Sequence, residues 1–202
     1  MSSKSSRRSF RYAIAFLALV GALLVPALAS AAVETFHRFE VDATANYTIT
    51  QQCANGSTPV MRVTVIGGHE EESESGETTL DNDFLTVLLR GTDCAGTFIN
   101  DRGFGTGEFT FSPSLQTATV SGTIITRDER EVTVDMNWEG TGPMEVTNNT
   151  TTFRGFVGHF QGKRRDAVAT GTVVVDGETL VDGSTTNAEL ESLEDTNTRT
   201  GG

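Results

Sequence analysis

Only two of the 202 residues are cysteine, four are proline and one is tryptophan, and lysine and arginine together number 15 against 27 acids. Catalytic or metal-binding thiols would need a constellation of partner residues, and none is visible around the two cysteines. The three histidines, His37, His69 and His159, are far apart and show no His-x-His or His-x-x-x-His spacing. No metal site and no cofactor are expected from such a set. The net charge of −12 repels phosphate backbones, which excludes nucleic acid as a partner. There is no Gly-x-Ser-x-Gly elbow, and no serine can be paired with a histidine as nucleophile and base. Beyond the first thirty residues or so, no window carries an amphipathic helical stripe.

One long apolar run is present, from Tyr12 to Ala29, behind a basic start and ahead of small residues. That order predicts a signal peptide over residues 1–31, cleaved between Ala31 and Ala32, with Ala27-Leu28-Ala29 as the alternative. Arg7 and Arg8, followed by Ser9 and Phe10, resemble the twin-arginine export signal, although an ordinary Sec leader has the same positive start. The run is also nearly long enough to be an uncleaved anchor, but its small-residue end favours cleavage. The expected location is therefore secreted or extracytoplasmic, with no stable membrane insertion after cleavage. Four of the 15 basic residues lie in this leader and no acid does, so 11 remain against 27 acids, a net charge of about −16.

In an oxidising compartment the only two cysteines, Cys53 and Cys94, are expected to pair. About 170 residues follow the leader, enough for one domain with its own core. Period-two alternation recurs along them. In Glu131 to Trp138, Val132, Val134, Met136 and Trp138 alternate with Glu131, Thr133, Asp135 and Asn137, so one face is buried and the other wet. A second run from Ala118 to Ile124 precedes it, with Arg127 to Arg130 as the turn between. Further strands are expected near 36–41, 47–52, 60–66, 84–90, 97–100, 108–111, 152–160, 167–175 and 179–181, with Asp176-Gly177 as a tight turn. The predicted fold is all-β, a single antiparallel domain of about ten strands over residues 32–183. A meander-type β-barrel is preferred and a β-sandwich is second choice. Gly67 to Glu77 is expected to be an acidic loop, and residues 184–202 a disordered polar tail.

The runs from Ala118 to Ile124, Val134 to Pro143 and Ala167 to Val173 resemble strand motifs of an uncharacterised group of secreted bacterial all-β proteins. The resemblance covers about residues 105–176. It implies the fold and the export, and it carries over no functional residue.

The remaining motifs have plain readings beside their chemical ones. Gly103 to Gly107 is glycine-rich like a phosphate loop, but the strand-like Glu108 to Phe111 follows where a helix would be needed, so a turn or barrel corner is expected. His69 with Glu70, Glu71, Glu72, Glu74 and Glu77 lacks the spacing of a calcium loop. Asp81-Asn82-Asp83 and Asn100-Asp101 read as turns. Lys163, Arg164 and Arg165 read as a hairpin turn whose charges pair with acids. Phe109, Phe111, Trp138, Phe156 and His159 form a candidate ligand cavity, because a small barrel can enclose a ligand among aromatic side chains. No residue is assigned as catalytic. The expected function is a secreted, non-enzymatic β-module that binds a small molecule or glycan or serves the cell envelope. The alternative is a glycan-active enzyme using two of Glu108, Asp135 and Glu139.

Overall fold

The computed structural model describes residues 33–200. The expected signal peptide, its Ala31–Ala32 cleavage point and the Arg7–Arg8 export motif lie outside the described residues.

Ten strands follow one another: β1 (Val33–Thr50), β2 (Val60–Glu74), β3 (Glu77–Thr92), β4 (Phe98–Gly105), β5 (Glu108–Phe111), β6 (Thr117–Ile125), β7 (Glu131–Gly140), β8 (Glu145–Phe153), β9 (Phe156–Val175) and β10 (Glu178–Thr200). Alternation explains most of them. In β7 the valines, Met136 and Trp138 are buried while Glu131, Thr133, Asp135, Asn137 and Glu139 are exposed. The same parity puts Val41, Ala43, Ala45 and Tyr47 of β1, Val63 and Val65 of β2, and Leu85, Val87 and Leu89 of β3 into one core. Trp138 crosses that core to donate its indole N–H to the Thr44 carbonyl at 3.0 Å. Tyr47 similarly reaches the Ala169 carbonyl at 3.3 Å, and burial pushes its hydroxyl up to about 12.

The strands form a single antiparallel sheet in the order β4-β3-β2-β1-β10-β9-β7-β6-β5, with β8 attached to β9. The all-β, single-domain antiparallel expectation agrees with this. β9 is 20 residues long and takes two partners in turn, β8 along Phe156–Arg164 and β7 along Ala167–Val175. The sheet thus has two storeys. The lower one curls around the core, and the upper one, β3-β2-β1-β10-β9-β8, runs on past it.

The ladder does not close into a barrel. Its two ends, β4 and β5, are consecutive in the chain and separated only by Thr106 and Gly107. Covalent continuity therefore completes the ring where hydrogen bonds do not, helped by one isolated bridge, Gly103↔Thr126. Glycine makes this seam possible. A Cβ on Gly103 or on Gly105 would come within 2.8 Å of the Ile124 side chain, and one on Gly122 within 3.2 Å of the Gly107 Cα. The glycine-rich stretch is a close-packed corner, as its sequence context indicates.

Asp101 locks the same seam, and here the turn expectation fails. It lies within β4, 2 % exposed, because its carboxylate replaces the missing ladder. Oδ2 accepts from the Thr126 hydroxyl at 2.5 Å, Oδ1 accepts from the Asp128 N–H at 3.2 Å, and the Arg130 Nε lies 3.9 Å away. Arg127 adds a hydrogen bond from its guanidinium to the Asn100 carbonyl at 2.7 Å. Replacing Asp101 with Ala leaves the buried Thr126 hydroxyl without its acceptor, so we expect a loss of about 2 kcal/mol. A lower denaturant midpoint at unchanged slope would show it.

Asp81-Asn82-Asp83 is not a turn either, because it lies within β3 and is laddered to β2, and three other expectations are corrected. Residues 67–77 are not a loop: they are the end of β2 and the start of β3, joined at Ser75 and Gly76. Within β2, Glu71 alternates with Glu70 and Glu72, which share the opposite sheet face. Glu70 and Glu72 flank Arg38, whose guanidinium lies 2.6 Å from Glu70 and 3.1 Å from Glu40. Residues 184–200 are not disordered, because they lie within β10, which pairs with β1 on one side and β9 on the other. Two laddered edges compensate for few apolar side chains, of which Val181, Ala188 and Leu190 are buried. Lys163, Arg164 and Arg165 lie within β9 and not at a turn. Arg164 does pair with acids, namely Glu189 and Glu191.

Cys53 and Cys94 form the expected disulfide, with Cα atoms 5.5 Å apart. It ties the β1–β2 loop to the β3–β4 loop at the lower end of the sheet.

Candidate functional site

Where the lower storey meets the upper, β2 and β3 place His69 directly opposite Asp83. The two side chains are hydrogen-bonded, Nδ1 to Oδ1, at 2.9 Å. A carboxylate accepts, so Nδ1 carries the hydrogen of this bond. Asp83 is fixed in turn by the Phe109 backbone N–H, which donates to Oδ2 at 3.3 Å. Asp81, two residues back on the same face, lies 4.0 Å from the imidazole.

Aromatic rings surround the pair. Phe111 stacks on His69 with centroids 6.3 Å apart and on Phe109 at 6.0 Å, and Phe39 of β1 approaches Phe111 at 5.8 Å. The resulting pocket, about 630 Å³, is lined by His69, Asp81, Asn82, Asp83, Thr110 and Phe111, with Thr106 and Gly107 of the seam at its side. One aromatic plane beside several fixed donors and acceptors is the chemistry that holds a hydroxylated ligand.

The five candidate cavity residues do not come together. Phe109 and Phe111 line this pocket, Trp138 is fully buried in the core, and Phe156 and His159 stand on the upper part of β9, where Thr150 is hydrogen-bonded to His159 at 3.2 Å. His69 and Asp83 were absent from that set. Their acidic surroundings read as loop, and only the β2–β3 register brings them face to face. Glu108, Asp135 and Glu139 are all exposed on the outer face of the sheet.

A second depression lies on the outer face of the upper storey, about 600 Å³ in volume. Cross-strand register builds it from two rows. Asp42, Glu191, Arg164 and Glu145 form one, and Glu40, Leu193, Gly162 and Thr147 the other. Gly162 leaves the gap, and Phe160 flanks it. Asp42 is the unusual member. Burial, followed by the charges of Glu191, Glu40 and Glu189, raises its carboxyl from 3.8 to about 7. Its other neighbour, Gly68 on β2, is covered by the Phe84 ring. Burial and Glu189 also raise Glu191, while Glu189 and Glu191 raise Arg164.

Neither protein-family models nor the curated proteins give a match to the chain. Among solved structures, it is similar to a Nitrosomonas europaea protein provisionally described as AttH, at 10 % identity and a TM-score of 0.21. That similarity covers 83 % of this chain and 51 % of the other, so this chain spans about half the length of that protein.

Proposed function

We propose that the protein is an exported, non-enzymatic β-module that binds a glycan or similar hydroxylated small molecule in the His69–Asp83 pocket. The observation that carries the reading is the fixed pair stacked on Phe111 beside Asp81, Asn82 and Thr110. Export is supported by the Cys53–Cys94 disulfide, which fits an oxidising compartment, and by the apolar run ahead of Val33 with its Arg7–Arg8 start. Among the described residues, no helix is long and apolar enough to cross a membrane. The enzymatic alternative has less support, because Glu108, Asp135 and Glu139 are exposed strand carboxylates on the outer face.

The test is a thermal-shift screen with oligosaccharides, followed by calorimetry on any ligand found. A ligand that binds only the folded state raises the melting temperature. Phe111→Leu, which keeps apolar packing but removes the stacking ring, should then weaken binding roughly tenfold. A flat screen, or a ligand indifferent to both Phe111→Leu and His69→Gln, would reject the pocket as the site.

A further inference from the structure

We infer that the protein self-associates through β8, whose free edge pairs antiparallel with β8 of a second copy. The nine residues of β8 are exposed throughout and pair only with β9 among the described residues. Their other backbone edge is therefore a row of donors and acceptors open to a further strand.

The other edges of this sheet are protected, and β8 is not. Free residues at the start of β3 carry Glu77, Asp81 and Asp83, so pairing with a copy would bring several carboxylates close together. On β5, the Phe109 N–H is taken by the Asp83 carboxylate. The outer edge of β4 meets Thr126, and the Arg102 and Asn100 carbonyls there accept from Arg127. Strand β8, Glu-Val-Thr-Asn-Asn-Thr-Thr-Thr-Phe, has no proline, no lysine and one charge, Glu145 at its start. Protection of every edge but one marks that one as an interface.

The sequence is also complementary to itself. Pairing about Asn149 sets Asn149 against its own copy, Asn148 against Thr150, Thr147 against Thr151, Val146 against Thr152 and Glu145 against Phe153. Cross-strand Thr–Thr and Asn–Thr pairs are favourable. The only charge, Glu145, falls beside the partner's turn residue Arg154, which follows Phe153 directly. The two-fold arrangement keeps the same sheet face outward in both copies, so the groove containing Glu145 and Thr147 continues across the axis.

Sedimentation velocity of the exported protein, disulfide intact, tests this over a range from low to high micromolar. The mass should rise toward that of a dimer as concentration increases. Asn149→Asp and Asn149→Lys each place like charges opposite one another and should weaken association roughly tenfold. Both changes are on an exposed side chain. An equimolar mixture of the two variants should restore the dimer by pairing Asp with Lys. A natural chain that stays monomeric, variants that dimerise as well as it does, or a mixture that stays monomeric would each overturn the proposal.

Discussion

Removing the Cys53–Cys94 disulfide is expected to lower the unfolding free energy by about 4 kcal/mol, the chain-entropy value for crosslinking residues 41 apart. The bridge joins two loops at the lower end of the sheet that have few other ties to each other. The Asn55 side chain donates to the Cys94 carbonyl at 3.3 Å, and the remaining hydrogen bonds there lie within each turn. Strands β1 to β4 and their core remain in the native state without it, so the effect falls mainly on the unfolded chain. For a domain of this size the melting temperature should drop by on the order of 10 °C. Calorimetry in the presence of reductant, and of the Cys53→Ser/Cys94→Ser variant, measures it. A loss below about 1 kcal/mol would mean that the unfolded chain is already compact around this loop.

Asp42 gives the second large effect, and it depends on pH. Its folded-state value is about 7 against 3.8 for the free group. Between those values the folded protein holds the proton and the unfolded chain does not, so stability falls as pH rises through the window. Below about 4 both states are protonated and the contribution vanishes; above about 7 the penalty is complete. A fully shielded group would lose on the order of 4 kcal/mol across that span, and a groove open to solvent on one side leaves about 3. Asp42→Asn removes the ionisation while keeping a polar side chain beside Thr44. Its melting temperature should match that of the natural chain below about pH 4, exceed it by a growing margin as the pH rises to about 7, and by a constant margin above that. Parallel curves for the two proteins would rule out Asp42 as the source of the dependence.

Much of this architecture can be read from alternation, because a strand with one buried face declares itself locally. Val132 to Trp138 and Ala118 to Ile124 do so, and their pairing follows from the short turn between them. The upper storey is illegible for the same reason: with both faces wet, β8 and the outer parts of β1, β2 and β10 show no period of two in hydrophobicity. Residues 67–77 and 184–200 therefore look like loop and tail, and the long strands β1 and β9 read as shorter pieces. Phe109 and Phe111, which line the pocket, were legible as strand residues because they alternate within a recognisable strand. His69 and Asp83 were not, since the register that joins them depends on pairing the whole β2–β3 hairpin. Asp101 was missed because its hydrogen-bond partners arrive from a turn 25 residues further on.

The position of β10 bears on how the molecule is assembled. It is the last of the ten strands in the chain, yet it lies between the first, β1, and the ninth. Until it is present, β1–β4 and β5–β9 are two separate half-sheets, each with an unprotected inner margin. Because β10 follows β1–β9 in the chain, the two halves can be joined only after it has been synthesised. A chain ending before Glu178 would lose its centre, whereas an edge strand could be lost with far less damage. Such long-range closure is slow and leaves strand margins exposed meanwhile, which makes prompt completion of β10 the step that keeps the unfinished chain from aggregating.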